Sequence, residues 1–222
     1  MSKVLVIAPH PDDETLGCGG TLLKHRANED ELHWLIVTDM SASSDYSQYD
    51  KLKRQEVIEN VTHEYNFLSR MQLSYSPASL DEIPKRELVG KISEAIQRVC
   101  PEILYIPYRN DVHSDHEVVF DASVAATKQF RMPSIQEILA YETLSETDFC
   151  LKPGNVFSPN YYVNIDGFLE KKKTILSLYQ SELGEFPFPR SLEAVDALAK
   201  VRGVQANVIA SEAFMLLKKV WS

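Results

Sequence analysis

Val4-Leu5-Val6-Ile7-Ala8-Pro9 is an unbroken apolar run, the pattern of a strand buried on both faces of a parallel sheet. Leu32 to Thr38 and Ile103 to Pro107 repeat that pattern, and Ile138 to Glu142 and Tyr161 to Ile165 follow as later strands. Between them the apolar positions return at helical intervals. Leu16, Leu22 and Leu23 mark a helix over Glu14 to Ala27. Leu52, Val57, Ile58, Val61 and Tyr65 share one face of a helix over Lys51 to Leu68. Met40 to Asp50, rich in Ser, Tyr and Asp, reads as a loop, and a turn surrounds Pro77 and Pro84. Lys85 to Val99 is helical and stops at Cys100-Pro101. Ser114-x-x-Glu117 has the form of a capping box and predicts a helix from near His116 toward Phe130. Further helices are expected over Phe168 to Tyr179 and Ser191 to Lys200, the last with room to continue through Arg202-Gly203.

Strands alternating with helices predict an α/β fold, a mostly parallel sheet with helices on both faces. No repeat, linker or low-complexity tract divides residues 1–222, so a single domain is expected. The net charge of −9 argues against nucleic acid and against anionic membranes as partners. Cys18, Cys100 and Cys150 have neither Cys-x-x-Cys spacing nor an even count, which argues against a disulfide framework and a structural zinc knot. The chain has no signal-peptide apolar region and no long apolar span, and the expected location is cytoplasmic.

The first strand empties into His10-Pro11-Asp12-Asp13-Glu14. Three carboxylates beside one imidazole at a strand end repel one another unless a cation neutralises them. A divalent metal site with a spare carboxylate for acid–base chemistry accounts for the cluster. Capping by Asp12 and Asp13 accounts for neither His10 nor the run of acids. Gly17-Cys18-Gly19-Gly20 suggests a dinucleotide turn, but Leu22 stands where the third glycine belongs; these glycines read as close packing at the helix start. Asp111-Val112-His113-Ser114-Asp115-His116 follows another strand end and offers further donors, whereas His25, His33 and His63 lie inside elements and read as structural or solvated. Cys18 could add a ligand, but a helical residue packing inward is the simpler role.

Both clusters resemble one family, the PIG-L/LmbE-like N-acetylglucosaminyl deacetylases. Ala8 to Glu14 matches its first motif and His113-Ser114-Asp115-His116 its His-x-Asp-His motif. Agreement extends to Arg54, Tyr141-Glu142, Pro159-Asn160, Lys171 to Lys173 and the Arg202-Gly203 … Glu212-Ala213-Phe214 ending. The resemblance implies a Rossmann-like, LmbE-type fold and a hydrolase of carbohydrate metabolism that removes an N-acetyl group from an amino sugar. It implies Zn2+, with Fe2+ as the other ion the donors accept, held by His10, Asp13 and His116. Asp12 is then the general base, His113 a protonated electrostatic stabiliser, Asp115 the residue orienting His113, and Arg54 a substrate contact favouring an anionic group. Glu14 is left between supporting the site and capping the helix; Arg202 with Gly203 is expected to stabilise the C-terminal region.

The implied partner is a small amino-sugar compound, nucleotide-, lipid- or thiol-precursor-linked or free, and a homo-oligomer is compatible with the sequence. Thr38 to Ser44 replaces the family's Gly-rich segment, and Asp111 stands where some members carry tyrosine. The rival readings are a catalytically silent sugar-binding relative and a metal-dependent esterase or phosphatase using the same centre.

Overall fold

The computed structural model describes residues 1–151, 154 and 156–221. Among these, one seven-stranded sheet runs in the order β3-β2-β1-β4-β5-β7-β6. The strands are β1 (Lys3–Ala8), β2 (Glu31–Thr38), β3 (Ser69–Tyr75), β4 (Ile103–Pro107), β5 (Glu137–Tyr141), β6 (Tyr161–Asn164) and β7 (Ser211–Lys219). The first five are parallel. β7 runs antiparallel between β5 and β6. The helices are α1 (Asp13–Ala27), α2 (Gln48–Tyr65), α3 (Lys85–Val99), α4 (Ser114–Ala126), α5 (Leu169–Leu176) and α6 (Leu192–Ala206). None of the helices is long and apolar enough to cross a membrane.

The sheet has a core on each side, which explains the unbroken apolar run of β1. Val4, Val6 and Ala8 face a cluster shared with α1, α2 and α5. Leu5 and Ile7 face the opposite cluster, built with α3 and α4. The mostly parallel α/β architecture is thus as the alternation of patterns predicts.

Several expectations are corrected. Ser69–Tyr75, given no element from the sequence, is an edge strand with Met71, Leu73 and Tyr75 packed on one core. Ser211–Lys219, given no element from the sequence, is β7. α2 begins at Gln48 because Ser47 and Asp50 form a reciprocal capping box, so the segment read as loop ends three residues early, and Leu52 is exposed. α4 starts at Ser114 and ends at Ala126; its cap is the His113 ring, which accepts from the Asp115 N–H, and not a Ser114 box.

Candidate active site and metal centre

β1 and β4 are parallel neighbours, while β2 and β3 lie on one side of them and β5 on the other. The chain's strand order therefore reverses between β1 and β4, and such a reversal opens a crevice at the carboxyl ends of the strands. His10 to Asp13 leave β1 there, and Asp111 to His116 leave β4 there.

The structure brings His10, Asp13 and His116 together, with one donor atom from each within 4.8 Å of the others. One Asp13 carboxylate oxygen lies 3.5 Å from His10 Nδ1 and 3.4 Å from His116 Nε2. The same oxygen accepts the His10 backbone N–H at 2.8 Å, which fixes it between the rings. The far nitrogen of each histidine meets a carboxylate: His10 Nε2 lies 2.9 Å from Asp115 and His116 Nδ1 lies 2.7 Å from Asp111. Carboxylates behind ligating histidines fix the ring orientation and the tautomer that presents a lone pair inward. Among the described residues His116 Nε2 is buried with no hydrogen-bond partner, its ion-pair contact being the Asp13 oxygen at 3.4 Å. Two imidazoles, one carboxylate and an orphaned buried nitrogen suit a borderline divalent ion.

Charge is arranged accordingly. Burial alone would lower the His10 pKa, but Asp115 and Asp13 raise it to about 9. His116 is likewise raised, by Asp13 and Asp111 against its burial. Both imidazolium groups hold the buried Asp13 carboxyl well below the usual range. A divalent cation would replace those two protons. His10, His113 and Asp115 also present atoms within 4.8 Å. In that second group, however, the Asp115 carboxylate already accepts from Ala78 N–H at 2.8 Å and Leu80 N–H at 3.1 Å besides meeting His10.

Asp115 therefore does not orient His113 through its side chain, as the sequence reading expected; it stands behind His10. The His113 ring is tilted against His10, 4.5 Å between centroids, and stacks on His116 at 5.6 Å. Burial and those two rings push its pKa down to about 4. Its Nδ1 accepts from the Asp115 N–H at 3.1 Å, so a neutral ring carries its proton on Nε2. With Nδ1 accepting that bond, Nε2 is the nitrogen of His113 left to donate.

Asp12 occupies the cap position of α1 with φ 140°, a backbone conformation that strains a residue bearing a side chain. Glu14 holds it there, accepting the Asp12 N–H at 3.0 Å. Glu14 is itself fully buried and accepts from Thr15 at 2.6 Å and Tyr179 at 2.8 Å; burial raises its pKa to about 7 against those bonds. Glu14 thus accepts at the helix cap and braces the Asp12 backbone with the same bond. Burial, then Asp13 and Glu182, push the Asp12 carboxyl well above the ordinary range, opposed by Arg54 and Arg190.

Arg54 reaches the crevice, but it is ion-paired to Glu182 and donates to the Pro11 carbonyl at 3.0 Å. The expected open cation for an anionic substrate is therefore occupied. Arg190, unmarked by any motif, lies 3.4 Å from Asp12 and 3.5 Å from Glu182. Cys18 sits in the apolar core and is not a ligand. His25 pairs with Asp30 and Tyr105, and His33 with Ser69, both structural.

Two glycines let the site close up on the sheet. A Cβ at Gly17 would overlap the Tyr141 ring, and one at Gly20 would lie 2.7 Å from Ile165. Tyr141 in turn donates to the Ile7 carbonyl at 2.9 Å. Glu212 of β7 accepts Gly20 and Thr21 N–H at 2.8 and 2.7 Å and pairs with buried Lys172 at 2.7 Å. Arg202 makes a two-pronged contact with Glu142 at 2.7 and 2.6 Å, tying α6 to the end of β5.

Fold and site together define an α/β protein whose His/Asp cluster is able to hold a metal. The sequence pattern of the PIG-L family, GlcNAc-PI de-N-acetylase, matches residues 5–127, more than half of the chain, and the chain belongs to that family; its class is that of the N-deacetylases. A diacetylchitobiose deacetylase of Thermococcus kodakarensis is 24% identical over 202 residues, spanning 83% of this chain and 72% of its own. The conserved protein TT1542 from Thermus thermophilus superposes with a TM-score of 0.79 at 24% identity, covering 100% of this chain and 97% of that one. GalB, the 4-carboxy-2-hydroxymuconate hydratase of Pseudomonas putida KT2440, superposes with a TM-score of 0.75 at 15% identity, covering 100% and 98%. These structural likenesses show the fold, which alone does not choose between cleaving an amide and hydrating a double bond.

Proposed function

We propose that the protein is a zinc-dependent N-deacetylase of an N-acetyl amino sugar, releasing acetate and a free amine. The observation that carries this reading is the buried, unpartnered Nε2 of His116 facing Asp13 and His10, with the Asp12 carboxylate lining the same cavity. Zn2+ held by His10, Asp13 and His116 would supply a Lewis acid that acidifies water and polarises the acetamide carbonyl. Fe2+ suits the same mixed nitrogen and oxygen donors.

The remaining chemistry falls to the chain's own groups. Asp12 takes a proton from the attacking water as its oxygen bonds to the carbonyl carbon. The His113 N–H donates to the oxygen on which negative charge develops. Asp12 then returns the proton to the nitrogen as the carbon–nitrogen bond breaks, so acetic acid and the amine leave, and the acid gives up its remaining proton to the amine or to water as acetate. Carboxyl burial serves this double duty, because a base whose pKa is raised also becomes a competent acid. The cavity, about 260 Å³, is walled by Asp12, Arg54, Thr143, Ser145, Glu146 and Glu182 among others. Polar walls of this kind match sugar hydroxyls, which need partners once buried.

The test is acetate release from N-acetylglucosamine by zinc-loaded wild type, Asp12→Asn and His116→Ala. Asp12→Asn should keep its metal and lose on the order of 10² or more in turnover; His116→Ala should lose the metal. Hydrolysis of O-acetyl but not N-acetyl sugars would replace this reading with the esterase. Sugar binding without release of acetate from any of them would replace it with the silent binder.

A further inference from the structure

Asp12 is held at three points. Its N–H donates to Glu14 at 3.0 Å. The carbonyl before it, that of Pro11, accepts from Arg54 at 3.0 Å. Its Oδ2 accepts from a terminal nitrogen of Arg190 at 3.4 Å. Glu182 joins the last two, because one of its oxygens is ion-paired to Arg54 and the other lies 3.5 Å from Arg190. The contacts form a ring, Asp12 to Arg190 to Glu182 to Arg54 to Pro11, which the Pro11-Asp12 peptide closes. All five residues line the site's cavity of about 260 Å³.

The ring draws on remote pieces of the chain: Arg54 comes from α2, Glu182 from the turn at Gln180–Glu182 after α5, and Arg190 from just before α6. Its two cations and two anions balance. Each guanidinium also lies against an aromatic ring, Arg54 5.8 Å from the Tyr179 centroid and Arg190 5.8 Å from that of Phe188. Stability does not explain Arg190. Arg202 shows what a structural arginine does in this fold, meeting Glu142 with two nitrogens at 2.7 and 2.6 Å. Arg190 makes two longer, single contacts, and among the described residues its Nε is buried with no hydrogen-bond partner. A buried N–H left unmet is unfavourable. The contact that accounts for its place is the one to Asp12, whose backbone, at φ 140°, keeps its strained shape only where its surroundings hold it.

We propose that Arg190 and Glu182 are positioning residues for the base. Arg190 fixes Oδ2 of Asp12, which leaves the other carboxylate oxygen to take the proton of the attacking water. Glu182 fixes Arg190 by tying it to Arg54, and Arg54 anchors the ring to the backbone beside Asp12. Both residues act through Asp12, so this inference rests on Asp12 as the base of the proposed deacetylase.

The experiment combines steady-state acetate release from N-acetylglucosamine by the zinc-loaded proteins with their zinc content and crystal structures. Arg190→Ala should lower kcat about 10–100-fold, as a misplacement of about 1 Å does, with KM changed by less than about threefold and zinc content unchanged. Arg190→Lys, which restores one cationic donor, should recover about threefold or more of that loss. Glu182→Gln turns an amide NH2 toward one of the two guanidinium groups and should lower kcat about tenfold; added to Arg190→Ala it should cost nothing further, because the two residues act on Asp12 as one unit. In the Arg190→Ala crystal the Asp12 carboxylate should turn from its wild-type position while His10, Asp13 and His116 stay. Glu182→Gln, the milder change, carries the same readings should Arg190→Ala not fold. A kcat within about twofold of wild type, a raised KM in place of a lowered kcat, an unmoved Asp12 carboxylate, or losses that add in the double variant each overturn the proposal. If wild type releases no acetate, the crystals still decide: a displaced Asp12 carboxylate then supports the positioning role while the deacetylase reading fails, so the two failures are distinguishable.

Discussion

Asp111 stands behind His116 as Asp115 stands behind His10, and replacing it separates metal affinity from stability. One of its oxygens meets His116 Nδ1 at 2.7 Å and the other accepts the Thr147 hydroxyl at 2.6 Å; Asp111 and His116 are buried and Thr147 is half-buried. In Asp111→Asn the amide oxygen can still accept from His116 Nδ1–H. The amide nitrogen can donate to Thr147, whose hydroxyl is free to rotate, so the fold should change little. The lost charge makes His116 a poorer donor, and loss of such a partner typically weakens metal binding 10–100-fold, or about 1.4–2.7 kcal/mol. Stabilisation of the fold by a fixed zinc concentration should fall by the same amount. Asp111→Ala instead leaves the buried His116 ring N–H without its acceptor, so it should also destabilise the metal-free protein by roughly 1–3 kcal/mol, the half-buried Thr147 hydroxyl adding little. Competition for zinc against a chromophoric chelator at neutral pH, with urea unfolding of the metal-free proteins, reads both quantities. Wild-type zinc affinity in Asp111→Asn would refute the reasoning, because His116 would then not depend on a carboxylate to present Nε2.

Two predictions concern the packing under the site. Gly17→Ala should destabilise the fold, since crowding against the Tyr141 ring costs about 1–3 kcal/mol and outweighs the ~1 kcal/mol that alanine adds to a helix; a stabilised variant in urea unfolding would show that the ring moves aside. Glu212→Ala leaves the Lys172 ammonium buried without its carboxylate and removes two bonds to N–H groups of α1, and should cost about 3–5 kcal/mol. Thermal unfolding checks it: at about 2–4 °C per kcal/mol for a chain of this size, a melting point lowered by less than about 3 °C argues against a clamp at this position.

The parallel half of the fold was legible because each of its inner strands is apolar on both sides. β3 alternates Met71, Leu73 and Tyr75 with Arg70, Gln72 and Ser74, a half-buried edge signal that two nearby prolines obscured. β7 carries a plain apolar run from Ala213 to Leu217, yet its antiparallel seat between β5 and β6 is a long-range pairing that local pattern does not encode. At the site, the types and spacing of His10, Asp13 and His116 marked a metal cluster, whereas the partners of Asp115 depend on how two strand ends meet in space. Glu182 and Arg190 lie roughly 170–180 residues beyond Asp12 in the chain, and no motif announces them.

Among the described residues β7 follows the six other strands of the sheet, yet it is an interior strand, with β6 at the edge beyond it. A polypeptide emerging from the ribosome displays both histidine motifs, and can lay down β1 through β5, well before Glu212 exists to grip α1. During that interval the helix carrying Asp13 lacks its far-side anchor, and β5 presents an open, aggregation-prone edge. The order of synthesis therefore sets the order of maturation: the last strand made closes the sheet and, through Glu212 and Lys172, secures the helix on which the first-made motif depends.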